Sequence, residues 1–198
     1  MTDTQLIREV KDGNVGKYNE LMHRYERKIF VFIYHMLKSA QLELMAEDLC
    51  NETFYKAYRS LSSFREAEAS FSTWLYTIAR NTVLSEMRKH KIVKISLDNC
   101  GHTPQTSFES LPEQTVIRKE KVSMVRIAIN SLPEKQRSAL ILREYDQLDY
   151  QEIASILGQT VSSVKSLLFR ARASVKLQME PYYNTDNWLE ECEGMTRR

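Results

Sequence analysis

Lys165, Arg170, Arg172 and Lys176 stand close together near the end of the sequence, interspersed with Ser162, Ser166 and Phe169, and no acidic residue occurs from Val161 to Lys176. Guanidinium and ammonium groups with hydroxyls between them neutralise and hydrogen-bond phosphate oxygens, and such side chains also reach base edges in a major groove. An aromatic ring among them suits contact with a thymine methyl. The chemistry implied is anion binding. Covalent catalysis would need a nucleophile beside an activating group, and metal-assisted catalysis a set of carboxylates spaced as ligands. Neither constellation is present, and Glu47, Asp48 and Glu52 read better as an interaction surface. The sequence therefore predicts no enzyme, no cofactor and no metal site.

Those cations need a helix that presents them on one side. Val161, Val164, Leu168, Ala171 and Val175 recur at spacings of three and four, which places Ser162, Lys165, Ser166, Phe169, Arg170 and Ala173 on the opposite face. The preceding stretch carries its own punctuation. Asp149 followed by Glu152 is a capping pair, Gly158 suits the positive φ just past a helix end, and Thr160 can cap the next helix. With Ile153, Ala154, Leu157, Val164 and Leu167 as the apolar contacts, the segment reads as a helix-turn-helix. An ordinary helical hairpin with a solvated basic face is the alternative, and the conjunction of cap, small residue, glycine and basic face favours DNA reading.

The rest of the chain agrees with a helical, soluble protein. Its 198 residues allow one medium or two small domains, and only five Gly and four Pro among abundant Leu, Glu, Lys, Arg and Ala favour helix throughout. The fold class expected is all-α: two small helical domains joined by a flexible linker, the second containing the helix-turn-helix. A formal charge of only +2 is unremarkable for a DNA binder, with cations clustered rather than numerous, and a chain this nearly neutral should hold DNA weakly by itself and depend on a larger partner. The longest apolar run, Ile29 to Leu37, contains His35 and is far short of the ~20 residues that span a bilayer. The sequence from Met1 lacks the pattern of a signal peptide. Cys50, Cys100 and Cys192 do not form a disulfide framework. These features predict a cytoplasmic protein without membrane insertion.

The expected units are 1–93, a linker over 94–114 rich in Ser and Thr with Gly101, Pro104 and Pro112, a second helical unit over 115–178, and an acidic tail over 179–198. In the first unit helices are expected from Asn14 to Leu37, from Gln41 to Leu61 and from about Ser72 to His90. In the second they are expected from Thr115 to Asn130 and from Glu134 to Tyr145, around a break at Ser131-Leu132-Pro133. The Ser72–His90 helix has an inner stripe of Phe71, Trp74, Leu75, Ile78, Ala79, Thr82 and Met87. Opposite lie Thr77, Arg80, Asn81, Leu84, Ser85 and Arg88. Asn81 can pair with a base edge, and the polar stretch from Phe64 to Ser70 could hold a base-sized guest.

Three segments carry a resemblance. Ala46-Glu47-Asp48-Leu49-Cys50-Asn51-Glu52-Thr53-Phe54, Phe71-Ser72-Thr73-Trp74-Leu75-Tyr76-Thr77-Ile78-Ala79-Arg80-Asn81 and Leu132-Pro133-Glu134-Lys135-Gln136-Arg137, the last followed by the helix-turn-helix, resemble in order the motifs of bacterial extracytoplasmic-function (ECF) sigma factors. The resemblance covers roughly 5–177. It implies an alternative sigma factor that binds core RNA polymerase and directs promoter-specific initiation. By the family pattern Asp48, Asn51, Glu52 and Tyr55 would face core polymerase. Arg65, Ser70, Arg80, Asn81, Ser85 and Arg88 would contact the minus-ten element, with a flipped base held by the loop from Arg65 to Ser70. Ser162, Lys165, Ser166, Phe169, Arg170 and Arg172 would contact the minus-thirty-five element. Asn51 stands where the family has glutamine, and Leu167 where many members have arginine. An anti-sigma protein is a further partner that the resemblance implies.

A free-standing helix-turn-helix regulator would explain 149–176 but leave the acidic face and the Arg–Asn helix without a task, and no heptad seam for a dimer is evident. Cys100-Gly101-His102 offers two potential metal ligands where structural zinc needs four, and a redox role for Cys100 would require a depressed thiol pKa. Cys50, on an apolar helix face, is expected to be an inert packing residue.

Overall fold

The computed structural model describes the backbone of residues 1–97 and 113–195, and side chains of residues 1–92 and 122–181. Among the described residues every regular element is helical: α1 (Asp3–Lys11), α2 (Lys17–Leu37), α3 (Ala46–Ser60), α4 (Phe71–Leu97), α5 (Glu113–Ser131), α6 (Glu134–Glu144), α7 (Tyr150–Leu157) and α8 (Val161–Met195), with single 3-10 turns at Lys38–Ala40, Glu43–Met45 and Leu61–Ser63.

Local chemistry sets most of these boundaries. Thr2 opens α1 through a reciprocal capping box with Gln5. Gly13, at φ 102, turns the chain between α1 and α2 in a region that a side chain would resist. The helix expected from Gln41 begins instead at Ala46, because Gln41 itself sits in the left-handed region at φ 58 and a 3-10 turn intervenes. α4 continues past the expected end at His90 to Leu97. The expected separate tail continues the backbone of α8, with Pro181 inside the helix. A proline there removes one ladder donor, but the helical bonds on either side persist. The region around Cys100 and His102 lies outside the described residues.

The first unit packs α1, α3 and α4 around α2. Its core includes Leu6 and Ile7 of α1, Leu21, Ile29, Phe32, Ile33 and Met36 of α2, Leu49, Phe54 and Ala57 of α3, and Leu75, Ala79 and Val83 of α4. Each Leu, Ile, Val, Phe or Met among these contributes about 1.5–3 kcal/mol when fully withdrawn from water. Tyr18 ties α2 to α3 by donating a 2.6 Å hydrogen bond to the Phe54 carbonyl. Burial pushes the Tyr18 hydroxyl pKa up. In the second unit Ile141 and Leu142, Ile153 and Ile156, and Val164, Leu168 and Ala171 join α6, α7 and α8. The buried Arg137 side chain donates to the carbonyls of Leu132 (2.9 Å) and Asn130 (3.3 Å), so it serves as a structural brace at the α5–α6 break.

The two units are in contact. α4 packs against α7 and α2 against α6, and a single buried cluster runs from Leu6 to Ala171. Tyr76, buried on a side of α4 that the sequence pattern left unassigned, crosses Phe32 edge-on at 5.4 Å between ring centroids.

Candidate nucleic-acid and partner interface

The helix-turn-helix is assembled as its residues predict. Asp149 and Glu152 form the capping box on α7, with bonds of 2.8 and 2.9 Å. Gly158 ends α7 at φ 59. Thr160 Oγ1 accepts from the Ser163 amide at 3.2 Å and so caps α8. Val164, Leu168 and Ala171 turn inward, and Ser162, Lys165, Ser166, Phe169, Arg170 and Arg172 are exposed. Phe169 stands 75% exposed, a large apolar ring with nothing packed over it.

The cations on this face are not equivalent. Lys165 and Arg170 form no ion pair among the described residues, and Lys165 Nζ lies 6.0 Å over the Tyr150 ring. Arg172 is held by Glu144 of α6, with bonds of 3.2 Å from Nε and 2.7 Å from Nη2 to the same carboxylate oxygen. The Glu144 pairing raises the Arg172 pKa and neutralises part of its field. Tyr150, Leu168, Phe169 and Lys176 line a shallow groove of about 340 Å³ beside Lys165. Tyr150 was not singled out from the sequence. Its position at the first residue of α7, facing α8, becomes visible only once the two helices are packed.

The α4 surface divides. Asn81, Ser85 and Arg88 are exposed on one face at helical spacing. Arg88 Nε donates 3.1 Å to the carbonyl of Leu84 in its own helix. Arg80 points elsewhere: its guanidinium forms a bidentate pair with Glu134 of α6, at 2.9–3.0 Å, and its side chain is only 12% exposed. Thr77 and Leu84, expected on the open side with Arg80, are half-buried.

The loop before α4 is closed at both ends by aromatic rings. Phe64 lies 5.9 Å from Phe71 and 4.9 Å from Trp74. Lys11 of α1 donates 2.8 Å to the Phe64 carbonyl and fixes where the loop departs. Arg65 is exposed and 3.5 Å from Glu68. Ser70 spends its hydroxyl locally, accepting from the Thr73 amide at 3.1 Å and lying 2.9 Å from the Thr73 hydroxyl.

On α3, Asp48, Asn51 and Tyr55 are exposed together, and Glu52 is half-buried in a 2.7 Å ion pair with Lys56. Beside them a groove of about 280 Å³ opens between α2 and α3, lined by Val15, Asn19, Met22, Asn51, Tyr55 and Tyr58 among others. Val15 (53% exposed) and Tyr58 (38%) extend this face beyond the residues expected from the sequence. The signal for Tyr58 was present, three residues after Tyr55 on the same helix side. Cys50 on the opposite side is buried, and burial pushes its thiol up to about 11, which keeps it an unreactive packing residue. No group of His, Cys, Asp and Glu among the described residues could hold a metal ion, and no described helix is long and apolar enough to cross a membrane.

Comparison with known proteins gives the chain a family context. Residues 21–92 match the family described as Sigma-70 region 2, and residues 124–175 the family described as Sigma-70, region 4. The chain is 34% identical to the RNA polymerase sigma-H factor of Pseudomonas aeruginosa, over 90% of this chain and 94% of that protein. It is also 34% identical to the ECF RNA polymerase sigma-E factor of Escherichia coli K12, over 91% of this chain and 96% of that protein. Two solved structures share the fold. CnrH in complex with the cytosolic domain of CnrY has a TM-score of 0.67 at 20% identity, covering 90% of this chain and 97% of its own. The sigma factor RpoE in complex with the anti-sigma factor NepR from Bartonella quintana has a TM-score of 0.63 at 24% identity, covering 82% and 96%.

Proposed function

Because this chain belongs to the ECF sigma factors of RNA polymerase, we propose a division of labour among its three faces. As an alternative sigma factor it directs promoter-specific transcription initiation. The exposed α3 face, Asp48, Asn51 and Tyr55 with Glu52 at its edge, docks core RNA polymerase. Asn81, Ser85 and Arg88 of α4, together with Arg80 once it is released from Glu134, face the minus-ten element. The loop from Arg65 to Ser70 receives a flipped base, whose extrusion costs a few kcal/mol that contacts to the base must offset. Lys165, Ser166, Phe169 and Arg170, with Ser162 and Arg172 at the margin, enter the major groove at the minus-thirty-five element.

The observation that carries this reading is the open α8 face. Lys165 and Arg170, two cations without an ion pair among the described residues, flank a 75% exposed phenylalanine on the second helix of a capped helix-turn-helix. A solvated surface helix would gain nothing from such a ring, whereas a thymine methyl gives it an apolar partner. Sigma factors are non-catalytic initiation factors, and the absence of a nucleophile–base pair in the sequence supports the same role for this chain. The site of action is the cytoplasm, where polymerase is, and an anti-sigma protein restrains the factor until it is needed.

Run-off transcription on fragmented genomic DNA, with and without bacterial core polymerase, tests the assignment. Transcripts that require both proteins, with a shared motif upstream of their starts, are the expected result. Specific retardation of DNA by the chain alone, with no polymerase-dependent transcript, would identify a free-standing regulator instead.

A further inference from the structure

The contact between the two units is built from specific polar groups around a small apolar seam. Glu134 stands at the first residue of α6, and its carboxylate accepts three hydrogen bonds from Arg80: 3.0 and 2.9 Å to Oε1 from Nε and Nη2, and 3.0 Å to Oε2 from Nη2. Ser138, itself fully buried, donates a further 2.8 Å bond to Oε1 and steadies the acceptor. The same hydroxyl lies 3.5 Å from the Met36 sulfur of α2. Alongside, His35 of α2 packs at a tilt against Tyr145, just past the end of α6, 4.3 Å between ring centroids. Asp146 lies beside Tyr76 of α4. A cleft of about 610 Å³, walled by Gln41, Leu84, Met87 and Glu134, borders the ion pair and brings solvent to its edge.

This arrangement is incompatible with promoter engagement for two reasons. With Nε and Nη2 committed to one carboxylate, the Arg80 guanidinium has only Nη1 left to offer a phosphate. On the proposed assignment the two units read elements named for positions ten and thirty-five, about 25 base pairs apart, or roughly 85 Å of duplex at ~3.4 Å per base pair. Here α4 packs directly on α7, and packed helix axes lie only ~8–10 Å apart, so the faces meant for the two elements are separated by a few helix diameters. The units must part before both can be read.

We propose that the seam is an intramolecular clasp that keeps the free chain closed, with Glu134 occupying Arg80 as a surrogate for promoter phosphate until core polymerase and DNA separate the units. The masking half of the proposal rests on the reading of Arg80 as a promoter contact; the closure itself does not. The clasp lowers the apparent affinity of the chain for polymerase and promoter by the fraction of molecules that are open.

The test uses the full chain. Small-angle scattering compares wild type with Glu134→Arg, Arg80→Glu and the exchanged double variant Arg80→Glu/Glu134→Arg. Each single variant should expand by opposing like charges, and the exchanged pair should return to the compact profile. In parallel, Glu134→Gln, which keeps the side-chain shape and a hydrogen bond to Ser138, is titrated in the run-off assay with core polymerase. About tenfold less chain should reach half-maximal transcription, the scale expected for losing hydrogen bonds to a charged group. Compact single variants would overturn the clasp regardless of what Arg80 does on DNA. Expansion without a gain in transcription would overturn its inhibitory role. If Arg80→Ala transcribes as well as Glu134→Gln, Arg80 is not a promoter contact, and the site reading falls together with the masking.

Discussion

Burial pushes the Asp146 carboxyl from its ordinary value of 3.8 up to about 6, with the Tyr76 hydroxyl and the distant Lys28 charge only partly offsetting it. Neither Asp146 Oδ2 nor Tyr76 Oη has a hydrogen bond of good geometry, so the ionised form is poorly compensated. The folded state thus holds the proton more tightly than the unfolded one, and this group's penalty is full above about pH 6 and relieved as pH falls toward 3.8. His35 acts in the opposite sense. Burial, then Lys38 and Arg126, lower its pKa, so its contribution is intact above 6.5 and lost as pH falls through the depressed value. Asp146→Asn should therefore raise the melting temperature at pH 7.5, and its advantage over wild type should shrink by pH 5, as measured in parallel thermal melts. The basic face yields a second expectation. Arg170→Ala and Lys165→Ala should each weaken use of the upstream element and reduce the salt slope of DNA binding by about 1, with polymerase assembly retained. Arg172→Ala should cost less, because Glu144 already holds that guanidinium. Filter binding across a salt series with each variant separates the two cases.

At the scale of elements, legibility followed locality. The α7–α8 pair was readable because its caps, glycine and apolar spacing all lie within one short stretch. The α3 start was misplaced because nothing in the sequence marks Gln41 as left-handed; the surrounding fold imposes that conformation. Tyr76 and Val83 are buried on α4 beyond the single stripe read from spacing, since a helix covered by neighbours on two sides has no simple amphipathic period. On α3 the exposed face was legible as a row of polar positions, whereas its groove with Val15 and Asn19 depends on how α2 lies beside it. Charge reversal by Asp48→Arg should lower affinity for core polymerase by roughly tenfold or more if that face docks a complementary surface. Binding measured by fluorescence anisotropy, with circular dichroism to confirm the fold, would remove α3 from the interface if affinity were unchanged.

For the whole molecule, the all-helical class and the two units were legible from composition, breaks and order of motifs. The contact between units was not. Arg80 and Glu134 are 54 residues apart, and each reads in isolation as a solvated charge on its own helix. Only the packing of α4 on α7 and α2 on α6 makes them partners. Because buried side chains form one cluster across both units, the chain should unfold in a single calorimetric transition in which the calorimetric and van't Hoff enthalpies agree. Glu134→Arg, by parting the units, should split or broaden that transition.

The closed arrangement is lopsided. It occupies Arg80 yet leaves the α8 face, with Lys165, Phe169 and Arg170, bare. On the proposed assignment this asymmetry fixes an itinerary: a closed molecule can touch down on duplex through its complete upstream reader, slide and depart, while melted DNA meets Asn81, Ser85 and Arg88 without Arg80 until the seam has parted. Weak sampling of the genome and committed initiation are thereby given to different halves of one small chain, and the order in which they act is written into which of its charges already has a partner.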